Sequence, residues 1–428
     1  MLLIRGGEVL DHHGRRRADV AVDGERVVAV GPGLDVPAGA EVLDASGAVV
    51  CPGFVDLHAH LRQPGQEEAE TVQTGSRAGA LGGYTALVAM PNTTPATDGV
   101  EVVRQVRRWG VEAGLLDVHP SAAITVDRAG ERLVDLAALY ADGVRVFTDD
   151  GNEVADAALM RLALETARQL PGAVIAQHAE CTALVATGHL NEGAVSRHLG
   201  LGGRPAVAEE ITVARDLALV RLVGGRVRYH VLHASVAATV ELVRRAKAEG
   251  LAVTMEVTPQ HLTLTDACCS GADPTFKVNP PLRGDDDLDA LRAALRDGVV
   301  DAVATDHAPH APATKARSFE AAPPGMLGLE TALAVVTGPA GIPLERAVAA
   351  LSWEPARIAG LADQGRPVAP GEWANLCVFD PSRAWEVDPD RLASKSRNTP
   401  FARWSLTGKV RHTLLRGRPT VIDEVAQR

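Results

Sequence analysis

In the stretch GFVDLHAHLRQPG, residues 53–65, His58, His60 and Arg62 fall at alternate positions as an apolar run ends. Successive side chains of a strand point to opposite faces, so the three share one. Two imidazoles and a guanidinium make a poor core, and that face is expected to look into a polar site. Other short apolar runs end in the same kind of residue: Asp149 and Asp150 in FTDDG, His178 in QHAE, His233 in HVLHAS and Asp306 in ATDHAPH. Imidazole nitrogens and carboxylate oxygens are the usual non-thiolate ligands of zinc, and an open coordination position leaves room for water. A metal so held polarises a carbonyl and makes water a nucleophile near neutral pH, which is the chemistry of carbonyl hydrolysis.

Each signal alone has a plainer explanation. An H-x-H pair is common, a single buried histidine is more often just hydrogen-bonded, and Asp-Asp-Gly is more often a turn. Five run ends that all carry ligand-type residues outweigh those explanations together. His230 and His261 lie close by and read as structural or supporting residues. His12, His13, His119, His189, His198 and His412 earn no role. The glycines of GLGGRP, residues 200–205, lack the strand–helix setting of a phosphate loop and read as a plain loop.

The elements that must position these residues alternate. Strands are expected at 54–60, 84–92, 115–124, 143–151, 173–180, 226–235, 251–259 and 301–310, with helical patterns between them, for example at 100–114, 156–170 and 237–250. Eight βα units in series imply an α/β fold, a parallel (β/α)8 TIM-like barrel whose site sits at the C-terminal ends of its strands. A doubly wound open sheet is the alternative. The first fifty residues read as a small antiparallel sheet of short alternating runs broken by glycine. Residues 374–381, 407–419 and 421–423 read the same way, so both termini are expected to build one small β domain. The division is then 1–52 and 366–428 for that domain and 53–365 for the barrel.

Composition limits the rest. The chain has 428 residues, 46% hydrophobic and 23% charged, with a formal net charge of −11. That balance argues against a general nucleic-acid binder, since little would neutralise a phosphate backbone. Five cysteines form no C-x-x-C pair, which fits a reducing compartment. The N-terminal MLLIRGGEVLDHHGRRR has no signal-peptide pattern, and no apolar run approaches the roughly 20 residues of a membrane helix. A cytoplasmic location with no membrane contact is expected.

Taken together, PGFVDLHAHLRQPG, AMPNTTP, FTDDG, QHAE, HVLHAS, KVNPPLR and ATDHAPH resemble the signature segments of the dihydroorotase family, in its longer form within the amidohydrolase superfamily. The resemblance runs in order from about residue 50 to 335. It implies His58, His60, Asp150, His178, His233 and Asp306 as ligands of one or two zinc ions. Many relatives bridge two metals with a carboxylated lysine on strand four, where this chain is similar to the subgroup that uses an aspartate. Asp150 is the choice on the resemblance of FTDDG, and Asp149 the fallback. Asp306 is then the catalytic residue, base first and acid afterwards. The resemblance also implies substrate contacts from His60, Arg62, Asn92, Asn279, His310, Pro324 and Gly325. Arg62 offers two-pronged donors to a ring carboxylate, and the asparagines can donate or accept. One departure is Ala322-Pro323-Pro324-Gly325, where the family commonly has Ala-Pro-Phe-Gly; the second proline removes a backbone donor. The preceding loop, 310–325, is long and polar enough to act as a lid. A homo-oligomer, and an association with aspartate transcarbamoylase, are the implied partners. The competing readings are a hydantoinase, dihydropyrimidinase or allantoinase, whose uncharged rings need no arginine, and an inactive scaffold for the transcarbamoylase.

Overall fold

Eight parallel strands follow one another along the middle of the chain: Phe54–Ala59, Tyr84–Ala89, Asp117–Pro120, Val146–Phe147, Val174–Gln177, Arg228–Val231, Val253–Val257 and Ala302–Val303. They are seen in a computed structural model that describes residues 1–36, 39–185, 187–224 and 227–428. The first three pair in chain order in one sheet and the other five in a second. Parallel bridges Ala122–Phe147 and Ala59–His307 join the two sheets at both seams. Thr148 N donates to Ala122 O at 2.9 Å and His60 N to His307 O at 2.8 Å, so each strand has a parallel neighbour on either side.

The helices between the strands form for local reasons. Val100–Ala113 buries Val103, Val106, Gly110 and Ala113, three and four apart, and stops where Gly114 takes a left-handed φ of 61°. Ala157–Ala167 begins at Asp156, whose carboxylate accepts from the amides of Ala158 and Leu159. On the opposite strand face, Leu57, Val88, Met90, Val146, Ala176, Leu232, Ala302 and Ala304 make a separate buried cluster closed by Ile358 and Ala359. This is an α/β fold.

The strands stop short of the apolar runs that announce them. Within 143–151 only Val146–Phe147 is strand, because the Asp149 carboxylate accepts from Ile124 N and Thr125 N at 2.8 and 2.9 Å and takes the chain out of the ladder. The run at 226–235 begins with Arg226, which lies outside the described residues; its strand is Arg228–Val231.

The termini build two further sheets, one of N-terminal strands alone and one shared by both ends. One is ordered Arg26–Gly31, Asp19–Asp23, Leu2–Arg5, Glu41–Asp44; the other holds seven strands, with Leu376–Glu386 and Ser405–Leu415 beside Val49–Pro52 and Glu8–Asp11. Leu2, Ile4, Val20 and Val22 share one core with Val50, Val378 and Leu414. The expectation of a purely antiparallel N-terminal sheet is corrected. Leu2–Arg5 runs parallel to Glu41–Asp44, and Glu8–Asp11 parallel to Val49–Pro52. The chain changes sheets at Gly6–Gly7: Gly6 has φ 82°, and a Cβ on Gly7 would lie 2.8 Å from Val50 Cγ2. Among the described residues no helix is long and apolar enough to cross a membrane.

Candidate metal centre

The first strand delivers His58 and His60 to the ring's C-terminal mouth, both buried. Asp306 and His233 follow the eighth and sixth strands in left-handed conformations, φ 45° and 29°, as does Arg62 at 59°. Such backbone strain in residues with a Cβ is held only where surrounding contacts insist on it. Two overlapping ligand sets result, His58–His60–Asp306 and His58–Asp150–His233, with donor atoms of each set within 4.8 Å of one another. His58 Nε2 lies 3.2 Å from Asp150 Oδ1 and 3.6 Å from Asp306 Oδ1. His60 Nε2 lies 3.0 Å from Asp306 Oδ1. His178 Nδ1 and His233 Nε2 are each 3.5 Å from Asp150 Oδ1 and 3.0 Å from each other.

The tautomers are set from behind. Glu256 sits 2.9 Å from His58 Nδ1, and Asn92 Oδ1 sits 2.8 Å from His60 Nδ1. Each accepts the Nδ1 proton, which leaves the Nε2 lone pair facing the centre. His58 Nε2 and Asp150 Oδ1 are fully enclosed and have no hydrogen-bond partner. Buried polar atoms are almost always paired, and a cation between these two would pair both. The donor set of imidazoles and carboxylates therefore fits a divalent metal.

Electrostatics agree. Burial alone would raise the Asp150 pKa, but the neighbouring imidazoles, His58 foremost and then His178 and His233, hold it well below the usual carboxylate range. Burial likewise opposes ionisation of Glu256, yet hydrogen bonds from His230 and His58 bring it down to about 2. Asp149 is turned away: its carboxylate is spent on Ile124, Thr125 N and the Thr125 hydroxyl. Asp150 alone of the pair faces the histidines.

Beside the histidines lies a cavity of about 160 Å³, lined among others by Arg62, Asn92, Asn279, His310, Pro324 and Gly325. Arg62 is buried, donates Nε–H to Pro309 O at 3.0 Å, and has no carboxylate within ion-pair distance among the described residues. Burial pulls its pKa down to about 10, so the guanidinium stays charged at neutral pH and lacks an anion. Asn92 gives its carbonyl to His60, which leaves its amide N–H groups for the cavity; Asn279 gives its carbonyl to Arg204, at 2.6 Å, and its Nδ2 to Glu180 Oε2, at 3.1 Å. His310 Nε2 donates to Pro324 O at 2.8 Å, and burial with the Arg62 charge lowers its pKa to about 3.

Pro324 and Gly325 line the cavity but present no free N–H: proline has none, and Gly325 N donates to Lys277 O at 2.8 Å. Gly325 is nonetheless required, since a Cβ there would lie 2.8 Å from both His310 Nε2 and Ala308 O. The loop 310–325 is anchored at its middle. Phe319 is buried, and Lys277 Nζ donates to the carbonyls of Phe319 and Glu320 at 2.8 and 2.9 Å.

Several residues that matter here carried little signal. Glu256, fully buried, also meets His230 Nε2 at 3.1 Å, which places His230 behind the centre; a lone acid in the apolar VTMEV strand was the clue. Asp56 holds the first strand to the end of the eighth through Thr305 N at 3.0 Å, and accepts from the His58 amide within its own strand at 3.1 Å. Glu180 lies 3.7 Å from His178 Nε2.

Comparison with known proteins places this arrangement. A family model described as Dihydro-orotase-like matches residues 47–239, and one described as Amidohydrolase family matches 206–421. The chain is 50% identical to a dihydroorotase of Streptomyces coelicolor, covering 98% of each protein. It is 49% identical to a dihydroorotase of Mycobacterium tuberculosis, over 99% of this chain and 98% of that one. Its structure resembles a dihydropyrimidinase of Brevibacillus agri at TM-score 0.82 and 26% identity, over 100% of this chain and 96% of that one. It also superposes on an L-hydantoinase of Arthrobacter aurescens at TM-score 0.87, over 100% and 97% of the two chains; at 24% identity this speaks to fold alone.

Proposed function

Because the chain belongs to the dihydroorotase family of the amidohydrolase superfamily, we propose that it catalyses the reversible hydrolysis of (S)-dihydroorotate to N-carbamoyl-L-aspartate in de novo pyrimidine biosynthesis. We read the ring of strands as a (β/α)8 barrel over 53–365, carrying a small β-sandwich domain built from 1–52 and 366–428. One observation carries the choice of substrate: a buried, charged arginine without an anion, Arg62, opens onto the same cavity as the histidine–carboxylate cluster. A cyclic amide with a ring carboxylate fills both needs at once.

His58, His60, Asp150, His178, His233 and Asp306 would hold one or two zinc ions. Zinc bound there would polarise the ring carbonyl and ease deprotonation of water. Asp306 accepts the proton of the attacking water and returns it to the amide nitrogen as the ring opens. The neighbouring imidazoles of His60 and His58 hold Asp306 below the usual carboxylate range against the effect of burial, so it begins as a base. Arg62 takes the ring carboxylate, helped by the amide N–H groups of Asn92, with Asn279 and His310 as further substrate contacts lining the same cavity. His60, whose Nε2 lies 3.0 Å from Asp306 Oδ1, would serve the metal and the substrate alike. The protein is read as a cytoplasmic homo-oligomer, and co-purification would test an association with aspartate transcarbamoylase.

The test is turnover of dihydroorotate against dihydrouracil, the same ring without the carboxylate, with metal content measured on the same preparation. Preference for dihydroorotate by about 10³-fold or more in kcat/KM is expected. Comparable turnover of dihydrouracil or hydantoin would replace this reading with a hydantoinase, and a metal-free, inactive chain would leave a scaffold.

A further inference from the structure

The loop GLGGRP, featureless as a motif, is built to place one guanidinium. Gly203–Arg204 pairs in parallel with Leu190–Asn191, with His189 N donating to Gly202 O at 2.8 Å. The pairing is too close for side chains. A Cβ on Gly202 would lie 2.1 Å from Thr187 O, one on Gly203 2.6 Å from Glu192 Cα, and one on Gly188 2.4 Å from Arg204 Cγ. Arg204 is anchored at both ends. Its Nε–H donates to Gly188 O at 2.9 Å, and its carbonyl accepts from Arg283 at 2.7 Å, itself buried and bonded to Ser235 Oγ. What this scaffold presents is Nη1, which donates to Glu180 Oε1 and Asn279 Oδ1, both at 2.6 Å.

Those two acceptors reach the reaction site from one side. Asn279 Nδ2 donates to Glu180 Oε2 at 3.1 Å and lies 3.1 Å from His178 Nε2. An asparagine amide can turn over with little change of shape, and only its partners decide which end faces a ligand. Resting on the dihydroorotase reading above, we propose that Arg204 is a positioning residue for the reaction. It pins the Asn279 carbonyl so that the Nδ2 end is turned to Glu180 and His178 at the edge of the substrate cavity, and it holds the Glu180 carboxylate beside His178. Without it, the Asn279 carbonyl is free to face the substrate carboxylate, acceptor against acceptor.

The test is a double-mutant cycle of Arg204→Met and Asn279→Ala in the full chain. KM and kcat for dihydroorotate are read together with metal content and the calorimetric Kd for N-carbamoyl-L-aspartate. Arg204→Met is expected to raise KM and Kd roughly tenfold, with kcat changed less and metal content kept; in the Asn279→Ala background the same change should add under about twofold. Arg204→Lys, with one donor point instead of a planar fork, should recover part of the loss. Equal effects in both backgrounds, or loss of metal and Tm with no KM–kcat split, would reduce Arg204 to a structural residue. If the wild-type chain holds metal but does not turn over dihydroorotate, the dihydroorotase reading falls and the proposal with it. Normal wild-type turnover with additive effects overturns the proposal alone.

Discussion

Where the strands of the ring begin, Asp117 accepts from Arg416 Nη1 and Nη2 at 2.8 and 2.7 Å, and Arg416 also reaches Asp363 at 2.9 Å. Gln364 completes this cluster, donating to Asp117 at 2.9 Å and accepting from the Thr85 hydroxyl at 2.7 Å. Where the strands end, carboxylates crowd around His58, two facing atoms have no partner, and Arg62 has no anion. Both ends are rich in charge, but only the first balances its own. The balanced cluster ties strand three to the C-terminal segments. The unbalanced one is short of a cation at the histidines and of an anion at the arginine, and those two deficits describe a metal and a substrate.

The contrast is most exposed at Asp306. Replacing it with Asn keeps shape but removes the base, and kcat should fall by roughly 10²–10⁴-fold with substrate binding less affected. Near-normal turnover across neutral pH would take Asp306 out of the mechanism. Next in size is Arg62→Met, which should erase most of the expected preference of about 10³-fold for dihydroorotate over dihydrouracil, chiefly by damaging dihydroorotate. Arg62→Lys should restore it only in part, since an ammonium lacks the two-pronged geometry. Steady-state kinetics on both substrates would show whether the missing anion is what the arginine awaits.

The same contrast recurs within one dipeptide. Asp150→Ala should lower metal content, read by elemental analysis, with a small change in Tm. Asp149→Ala should keep the metal but cost about 1–3 kcal/mol of stability, because it strands the buried Ile124 and Thr125 donors. The reverse pattern would exchange their roles. The smallest effect on catalysis is expected at the balanced end. Arg416→Met should destabilise the fold by about 1–3 kcal/mol in denaturant titration and leave kcat within about twofold. A large loss of kcat without loss of stability would erase the distinction between the two ends.

Much of this was legible one residue at a time. Strand geometry has a period of two, so His58, His60 and Arg62 had to share a face whatever their partners, and the ends of the apolar runs marked the other ligand-type residues. Helix boundaries near Val100–Ala113 and Ala157–Ala167 were written in spacing and caps. Period two also says that Asp149 and Asp150 face opposite ways, but it cannot say which faces in. The turn at Ile124–Thr125 decides that, by giving Asp149 its donors.

Other features belong to tertiary structure alone. Glu256 behind His58, Arg204 behind Asn279, and the Gly325 amide spent on Lys277 each depend on a partner 48 to 198 residues away. The mixed direction of the N-terminal strands depends on which sheet each joins after Gly6–Gly7. The types and order of residues set which groups come to the mouth, since local periodicity is a property of the chain. Which of their atoms are satisfied and which are left for a metal or substrate is settled only when distant segments meet, since hydrogen bonds and ion pairs are counted in space.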